Sequence, residues 1–312
     1  MFEKDVELSV VVPIFNEELI IPQLVQRLIA VLGPLCKTHE IILVDDGSKD
    51  SSFLLLQELH RKHKGIIKVV KLSRNFGHQL AISAGIKCSL GKAVVIMDGD
   101  LQDPPETIAE FFGKWKEGYD VVYGVRKERK GETFFKKITA KIFYKLIRAA
   151  TSIDIPENAG DFYLLSRPVV DVLNSMGERH RFLRGMVAWV GFHRGEVDYI
   201  RDARFAGKTK FTFWKMVKFS FDAATSFSFA PLRMISWAGA FISMMAFFYI
   251  LFIFYQKFFT NQTITGWPSI MVAVLFIGGI QLLAIGLIGE YIARIGDDVK
   301  RRPLYAVSKR LE

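Results

Sequence analysis

The sequence predicts an α/β fold: a mostly parallel sheet with helices on both faces, followed by interfacial amphipathic helices and two transmembrane helices. Three observations predict it. Short Val- and Ile-rich runs alternate with segments of helical periodicity, the pattern of parallel strands joined by crossover helices. Two of these runs end in acids beside a glycine, Asp45-Asp46-Gly47 and Asp98-Gly99-Asp100, and open parallel sheets bind ligands at the C-terminal ends of their strands. Two uncharged runs of 23 residues, 234–256 and 267–289, lie near the C-terminus.

Residues 8–13 (Leu-Ser-Val-Val-Val-Pro) read as a central strand. Phe15-Asn16-Glu17-Glu18 then turns into a helix with Ile20, Leu24, Leu28 and Val31 on one face. Residues 40–48 repeat the device, with an apolar strand, two acids and a Gly-Ser turn. Asp50 or Ser51 can cap the next helix, which should end near His63. A third strand covers residues 66–72, and a helix follows over 77–89. The fourth strand, Val94-Val-Ile-Met97, delivers Asp98, and Pro104 and Pro105 open the next helix. Residues 120–124 make a fifth strand.

Beyond it the pattern changes. Over residues 132–150, Phe135, Ile138, Ile142, Leu146 and Ala149 share a helical face, beside a stripe of Lys137, Lys141, Lys145 and Arg148. A basic amphipathic helix of this kind fits a membrane surface. Residues 159–165 return to extended structure, Arg167-Pro168 starts a helix, and residues 196–204 alternate like an edge strand. Residues 213–229 hold five Phe and one Trp, the profile of a helix in the bilayer interface. Each uncharged run would span about 35 Å as a helix, enough to cross the hydrocarbon core. Residues 258–266 carry no Lys or Arg, whereas Arg233 precedes the pair and Arg294, Lys300, Arg301, Arg302, Lys309 and Arg310 follow it. The positive-inside rule puts both termini and the α/β part in the cytoplasm.

Composition narrows the partners. The 42 basic against 32 acidic residues give a net charge of +10, which favours a phosphate-rich nucleotide or an anionic membrane surface. The basic residues cluster near the apolar segments rather than on a module of their own, which argues against nucleic acid. Cys36 and Cys88 have neither zinc nor disulfide spacing. No Gly-x-Gly-x-x-Gly and no P-loop occurs, so dinucleotide and P-loop chemistry find no support.

Asp98 and Asp100 are hard oxygen donors one residue apart, suited to Mg²⁺ or Mn²⁺ when a diphosphate adds further oxygens, with Gln102 in reach. The competing reading is a solvated turn in which Asp103 caps the following helix. Asp45, Asp46, Asp98 and Asp100 together place acids along one sheet edge. That edge reads as a nucleotide-diphosphate site.

The motifs Val12-Pro-Ile-Phe-Asn-Glu17, Val44-Asp-Asp-Gly-Ser48, Arg74-Asn-Phe-Gly77 and Met97-Asp-Gly-Asp-Leu-Gln-Asp-Pro-Pro105 resemble family 2 glycosyltransferases of the GT-A fold. Arg181-Phe-Leu-Arg-Gly185, Arg204-Phe-Ala-Gly-Lys-Thr-Lys-Phe211 and the two C-terminal runs narrow the resemblance to polyprenyl-phosphate glycosyltransferases. Within these, the chain looks like the bactoprenol glucosyltransferase branch, related to dolichyl-phosphate mannose synthase. The resemblance implies that Pro13, Phe15, Glu17, Val44 and Asp46 hold the nucleoside. It implies that Asp98, Asp100 and Gln102 handle the metal and that Arg204 and Lys210 meet the diphosphate. It also implies UDP-glucose as donor, a polyprenyl phosphate such as undecaprenyl phosphate as acceptor, and a bacterial inner-membrane location. A mannose donor, a processive polysaccharide synthase and an inactive membrane scaffold are the alternatives, and homo-oligomerisation stays open.

A lipid monophosphate is mostly dianionic at neutral pH, given a second pKa of about 6 for phosphate monoesters, and needs no strong base. Asp161 is therefore expected to orient groups or lie near the metal, with a base role second. Arg126 and Arg129 are the candidates for gripping the acceptor phosphate. Asp100, Asp161 and Arg126 form the expected catalytic set. Two departures stand out: relatives usually have Ala where this chain has Gly99, and many have Arg at the position of Tyr163. The expected divisions are a catalytic domain over 1–210 (with the surface helix at 134–150), an interfacial helix over 211–231, a hairpin over 232–292 and a basic tail over 293–312.

Overall fold

The computed structural model describes residues 5–126, 159–179, 181–201, 230–259 and 266–312. These residues fall into two compact units, one comprising the N-terminal part with residues 302–312, the other the two long helices up to residue 301.

In the first unit the chain runs β1 (Leu8–Ile14), α1 (Ile21–Leu35), β2 (His39–Asp45), α2 (Ser52–Lys62), β3 (Ile67–Leu72), α3 (His78–Cys88) and β4 (Ala93–Ile96). A 3-10 turn, Pro105–Thr107, leads into α4 (Ile108–Lys116), then β5 (Val121–Arg126), β6 (Ala159–Ser166), α5 (Arg167–Ser175), α6 (Leu183–Trp189) and β7 (Arg194–Tyr199). The chain closes with β8 (Val307–Leu311). The eight strands form one sheet in the order β7-β5-β6-β4-β1-β2-β3-β8.

β1 is wholly buried, as a Val-rich central strand covered on both faces must be. On one face Val10, Val12 and Ile14 join Ile20, Leu24 and Leu28 of the predicted apolar stripe, with Leu56, Ile108 and Phe111 from α2 and α4. On the other face α3 buries Ala81, Ile82, Ala84 and Ile86, and its Gly85 lies against Val11 and Val44. A Pro at the first turn of α1 suits a position whose N–H has no intrahelical partner. Helices on both faces were the sequence expectation, and the packing agrees.

The sheet is more mixed than expected. β1 pairs in parallel with β2 and β4, β2 with β3, and β5 with β7. β6 runs antiparallel to both β4 and β5, and β8 antiparallel to β3. An antiparallel β6 begins where its parallel neighbours end, so its first residues join the C-terminal edge of β4. β7 is an edge strand with alternating burial, starting two residues before the predicted one.

The tail also departs from expectation. Instead of a plain basic extension, residues 307–311 pair with β3, and Ser73 N–H donates to the Ala306 carbonyl at 2.9 Å. The Ser308 hydroxyl donates to the Lys71 carbonyl at 3.1 Å. Val-Ser-Lys-Arg-Leu has too little apolar pattern to announce a strand; main-chain pairing to an open edge holds it.

The second unit contains α7 (Ala230–Phe259) and α8 (Trp267–Val299). Phe241, Met244, Phe247 and Phe248 of α7 and Ile270, Phe276 and Leu282 of α8 are exposed, an apolar surface that water disfavours and lipid accepts. Among the described residues one segment is long and apolar enough to cross a membrane, the 24 residues Phe276–Val299, while α7 registers the shorter Gly239–Tyr249. The predicted surface helix at 134–150 and residues 211–229 of the predicted interfacial helix lie outside the described residues, while residues 230 and 231 belong to α7.

Deleting residues 303–312 should uncover the β3 edge, lowering the thermal midpoint of the solubilised protein and promoting self-association. Each kcal/mol of lost pairing corresponds to about 2–4 °C for a domain of this size. Scanning calorimetry with light scattering checks both effects.

Candidate active site

The ends of β1 and β2 are stitched together by their own loops. Pro13 pairs with Val44 and Ile14 with Asp45 in the parallel register. Asn16 N–H donates to Ser48 Oγ and Glu17 N–H to Ser52 Oγ, both at 3.0 Å, and Lys49 N–H donates to Asn16 Oδ1 at 2.8 Å. This fixes Phe15 and Glu17, both half-buried, at the sheet edge. Asp45 Oδ1 accepts the Ser48 amide at 3.0 Å, while its buried Oδ2 has no hydrogen-bond partner among the described residues. Asp46 accepts the Phe76 amide at 2.7 Å and the Gly77 amide at 3.0 Å. The Arg74-Asn-Phe-Gly motif thus docks on the Asp-Asp-Gly-Ser motif. Burial pushes the Asp46 pKa up, against the pull of those two amides.

The second cluster follows from the direction of β6. Ile96 pairs with Tyr163, and continuing that antiparallel register sets Asp98 opposite Asp161. His78, the first residue of α3, reaches between them, with Nε2 3.3 Å from Asp98 Oδ1 and 3.6 Å from Asp161 Oδ2. Gln79 Nε2 donates to Asp161 Oδ2 at 3.1 Å, and Arg184 pairs with Asp161 Oδ1 at 3.3 Å. Gln79 Oε1 meanwhile accepts the Leu183 amide at 2.9 Å, tying α3 to the start of α6. Burial would raise the Asp161 pKa, but Arg184 and His78 outweigh it and hold the carboxyl well below the usual range. Such a carboxylate orients cations and is a poor proton acceptor. Burial would lower the His78 pKa, yet Asp161, Asp98 and Asp46 hold it up at about 9.

The third cluster surrounds Asp103. It is fully buried and accepts the Tyr199 hydroxyl at 2.6 Å. Arg126 Nε donates to the same Tyr199 oxygen at 3.0 Å, and the Arg126 and Arg201 guanidiniums lie 4.0 and 3.8 Å from Asp103 Oδ1. The helix-capping reading of Asp103 therefore fails: the turn at Pro105–Thr107 has no side-chain cap.

Asp98 and Asp100 stand on the loop after β4. Asp100 Oδ1 accepts the Gln102 amide at 3.2 Å, and Leu101 adopts φ 57°, folding the loop back on itself. A Cβ on Gly99 would lie 3.0 Å from both Ile14 Cδ1 and the Pro13 carbonyl, so glycine relieves crowding between the two acids. Among the described residues no three His, Cys, Asp or Glu side chains could hold a metal by themselves. Asp98 is nonetheless pushed up to about 6, by burial first and then by Asp103, Asp161 and Asp100, with His78 opposing. A site so rich in carboxylates has an excess of negative charge that a dication would relieve. The residues fit a divalent metal whose remaining donors come from a ligand.

Tyr163 is fully buried in the sheet, edge-on to Tyr123 at 6.2 Å between ring centroids, which removes it from contact with a phosphate in solution. Arg129, Arg204 and Lys210 lie outside the described residues. The sequence reading missed His78, Gln79, Tyr199 and Arg201. The first two directly follow the Arg74-Asn-Phe-Gly motif, which was their one local signal.

Comparison with known proteins finds two matching family models and, among the relatives, the following two. The glycosyl transferase family 2 model matches residues 9–173, and the GtrB C-terminal hairpin model matches residues 230–295. The glycosyltransferase YkcC of Bacillus subtilis (strain 168) is 50% identical over 306 residues, covering 98% of this chain and 94% of its own. The SfII prophage-derived bactoprenol glucosyl transferase of Shigella flexneri is 38% identical over 305 residues, covering 97% and 98% respectively.

A histidine whose folded pKa is raised from 6.5 to about 9 contributes stability that is full below the unfolded value and lost as pH rises through the folded one. The thermal midpoint of the ligand-free protein should therefore fall between pH 6.5 and 9. His78→Gln should flatten that slope, as differential scanning fluorimetry across this range would show.

Proposed function

The chain belongs to glycosyl transferase family 2, and on that premise we propose that it transfers glucose from UDP-glucose to a membrane polyprenyl phosphate such as undecaprenyl phosphate. The observation that carries this reading is the convergence of Asp45, Asp98, Asp100 and Asp161 with His78, Arg184 and Arg126 on one sheet edge. Carboxylates facing a nucleotide diphosphate need a cation between them, and the acceptor phosphate needs arginine. The names of the bactoprenol glucosyl transferases among the relatives support the sugar and the lipid.

In this mechanism Pro13, Phe15, Glu17, Val44, Asp45 and Asp46 hold the nucleoside at the ends of β1 and β2. Asp98, Asp100 and Gln102 hold Mg²⁺ or Mn²⁺, which when bound offsets the charge developing on the departing diphosphate. Arg204 and Lys210 add positive charge to the same oxygens. Arg126 and Arg129 seat the acceptor phosphate. One acceptor oxygen forms a bond to the anomeric carbon while the bond to the diphosphate breaks, and the nucleoside diphosphate leaves with that electron pair. Displacement in one step inverts the configuration. Asp161 orients His78, Gln79 and Arg184, and the phosphate oxygen needs no proton removed.

The reading includes a cytoplasmic active site at the inner membrane, with α7 and α8 crossing as a hairpin. What supports two crossings is β8: the segment after α8 pairs with β3, so the chain must return to the side it left, which takes an even number. The match to a C-terminal hairpin over residues 230–295 agrees with this.

Asp98→Ala and Asp100→Ala should each lower turnover at least about 10²–10³-fold, the loss seen when one electrostatic stabiliser is removed, with folding retained. Excess chelator should stop the wild type and Mg²⁺ or Mn²⁺ restore it. Radiolabelled nucleotide sugars assayed with polyprenyl phosphate in membranes test the reaction: transfer from UDP-glucose is expected, and full activity in chelator would exclude the metal. A cysteine at position 262 should react only with reagent outside the cell.

A further inference from the structure

Arg126, read above as the acceptor-phosphate residue, is not free to choose its direction. Its backbone ends β5, and the parallel register sets it beside Tyr199, the last residue of β7. Its Nε donates to Tyr199 Oη at 3.0 Å, and that hydroxyl donates onward to Asp103 Oδ1 at 2.6 Å. On its other side the guanidinium lies over Gly160, where any Cβ would collide with it. One arginine edge is thus spent on Tyr199 and one face on the β6 backbone. Arg201, two residues past Tyr199, is drawn to the same Asp103 oxygen at 3.8 Å.

We propose that Tyr199 and Asp103 are positioning residues that aim Arg126 at the acceptor phosphate and lock that arginine to the loop carrying Asp98 and Asp100. The inference rests on the reading of Arg126 as the acceptor grip. Its physical content is that Asp103 lies five residues from Asp98 on one short loop. A fully buried carboxylate there holds one guanidinium from the end of β5 and one from the segment just past β7, so acceptor grip and diphosphate loop keep a fixed spacing. A guanidinium preorganised by a hydrogen bond to Nε presents its two terminal nitrogens as a fork, the geometry that matches phosphate oxygens. Tyr199 supplies that bond, and its ring is braced edge-on by Phe162 at 5.4 Å between centroids.

The test is steady-state kinetics on the full-length protein in membranes, varying polyprenyl phosphate and UDP-glucose separately. Tyr199→Phe keeps the ring and removes the hydroxyl. It should raise the acceptor KM about fivefold to tenfold, the worth of one ordinary hydrogen bond of about 1 kcal/mol, with the donor KM within about twofold of wild type. Asp103→Asn should shift the acceptor KM further, because both arginines lose their counter-charge. In an Arg126→Ala background Tyr199→Phe should add nothing, since a positioning residue has no effect once its target is gone. An Arg126→Ala defect in acceptor KM with a normal Tyr199→Phe variant would overturn the positioning role alone. An unchanged acceptor KM in Arg126→Ala would overturn the acceptor grip and the positioning role with it. Equal changes in donor and acceptor KM for Tyr199→Phe, with a lowered thermal midpoint, would mark the pair as merely structural and also overturn the proposal.

Discussion

The ion pair between Arg184 and Asp161 is the interaction on which the site depends. Asp161 faces Asp98 across two antiparallel strands, and two buried carboxylates that close repel each other unless cations stand beside them. Arg184 from α6 and His78 from α3 supply those cations, and Gln79 donates a further hydrogen bond to Asp161 Oδ2. Removing either cation leaves the carboxylates with uncompensated charge, the expensive case for buried ions. The cluster is therefore a unit drawn from four elements. Its total charge is poised so that Asp161 stays ionised while Asp98 is pushed up to about 6.

That unit exists because β6 runs against its neighbours. A parallel strand in that position would bring its C-terminal end to the ligand edge, and Ala159-Gly160-Asp161 would sit at the far side. Reversing β6 brings its first three residues to the edge instead. Asp161 reaches Asp98, and Gly160 leaves room for the Arg126 guanidinium. The mixed sheet is thus what lets one edge hold donor and acceptor groups side by side.

Much of this was legible in the sequence, and the limit has a physical form. β1, β2 and β4 announced themselves as Val- and Ile-rich runs because central strands are buried on both faces, and β3 and β5 by the apolar residues of their buried positions. Asp45, Asp46, Asp98 and Asp100 were legible because they follow such runs directly. The partners were not: Gln79 and Asp161 are 82 residues apart, and Tyr199 and Asp103 are 96 apart. Gln79 and Tyr199 look like ordinary surface polar residues until the fold closes, and nothing local joins them to Asp161 and Asp103. The direction of β6 was equally hidden, since an extended run carries the same pattern either way.

β8 is the hardest case, and it bears on the nucleotide edge. Its pairing ends at Ser73, whose amide donates to the Ala306 carbonyl. The next residue, Arg74, opens the turn whose Phe76 and Gly77 amides hold Asp46. The last residues of the chain therefore anchor the strand from which that turn departs, after an excursion of two long helices. A strand of Val-Ser-Lys-Arg-Leu has only Leu311 to pack on the core and the Ser308 hydroxyl to bond β3, so main-chain hydrogen bonds to an edge that would otherwise be open do most of the holding. Covering an edge in this way prevents pairing with other chains. It also sets residues more than 200 positions away against the strand that leads into the Asp46 turn.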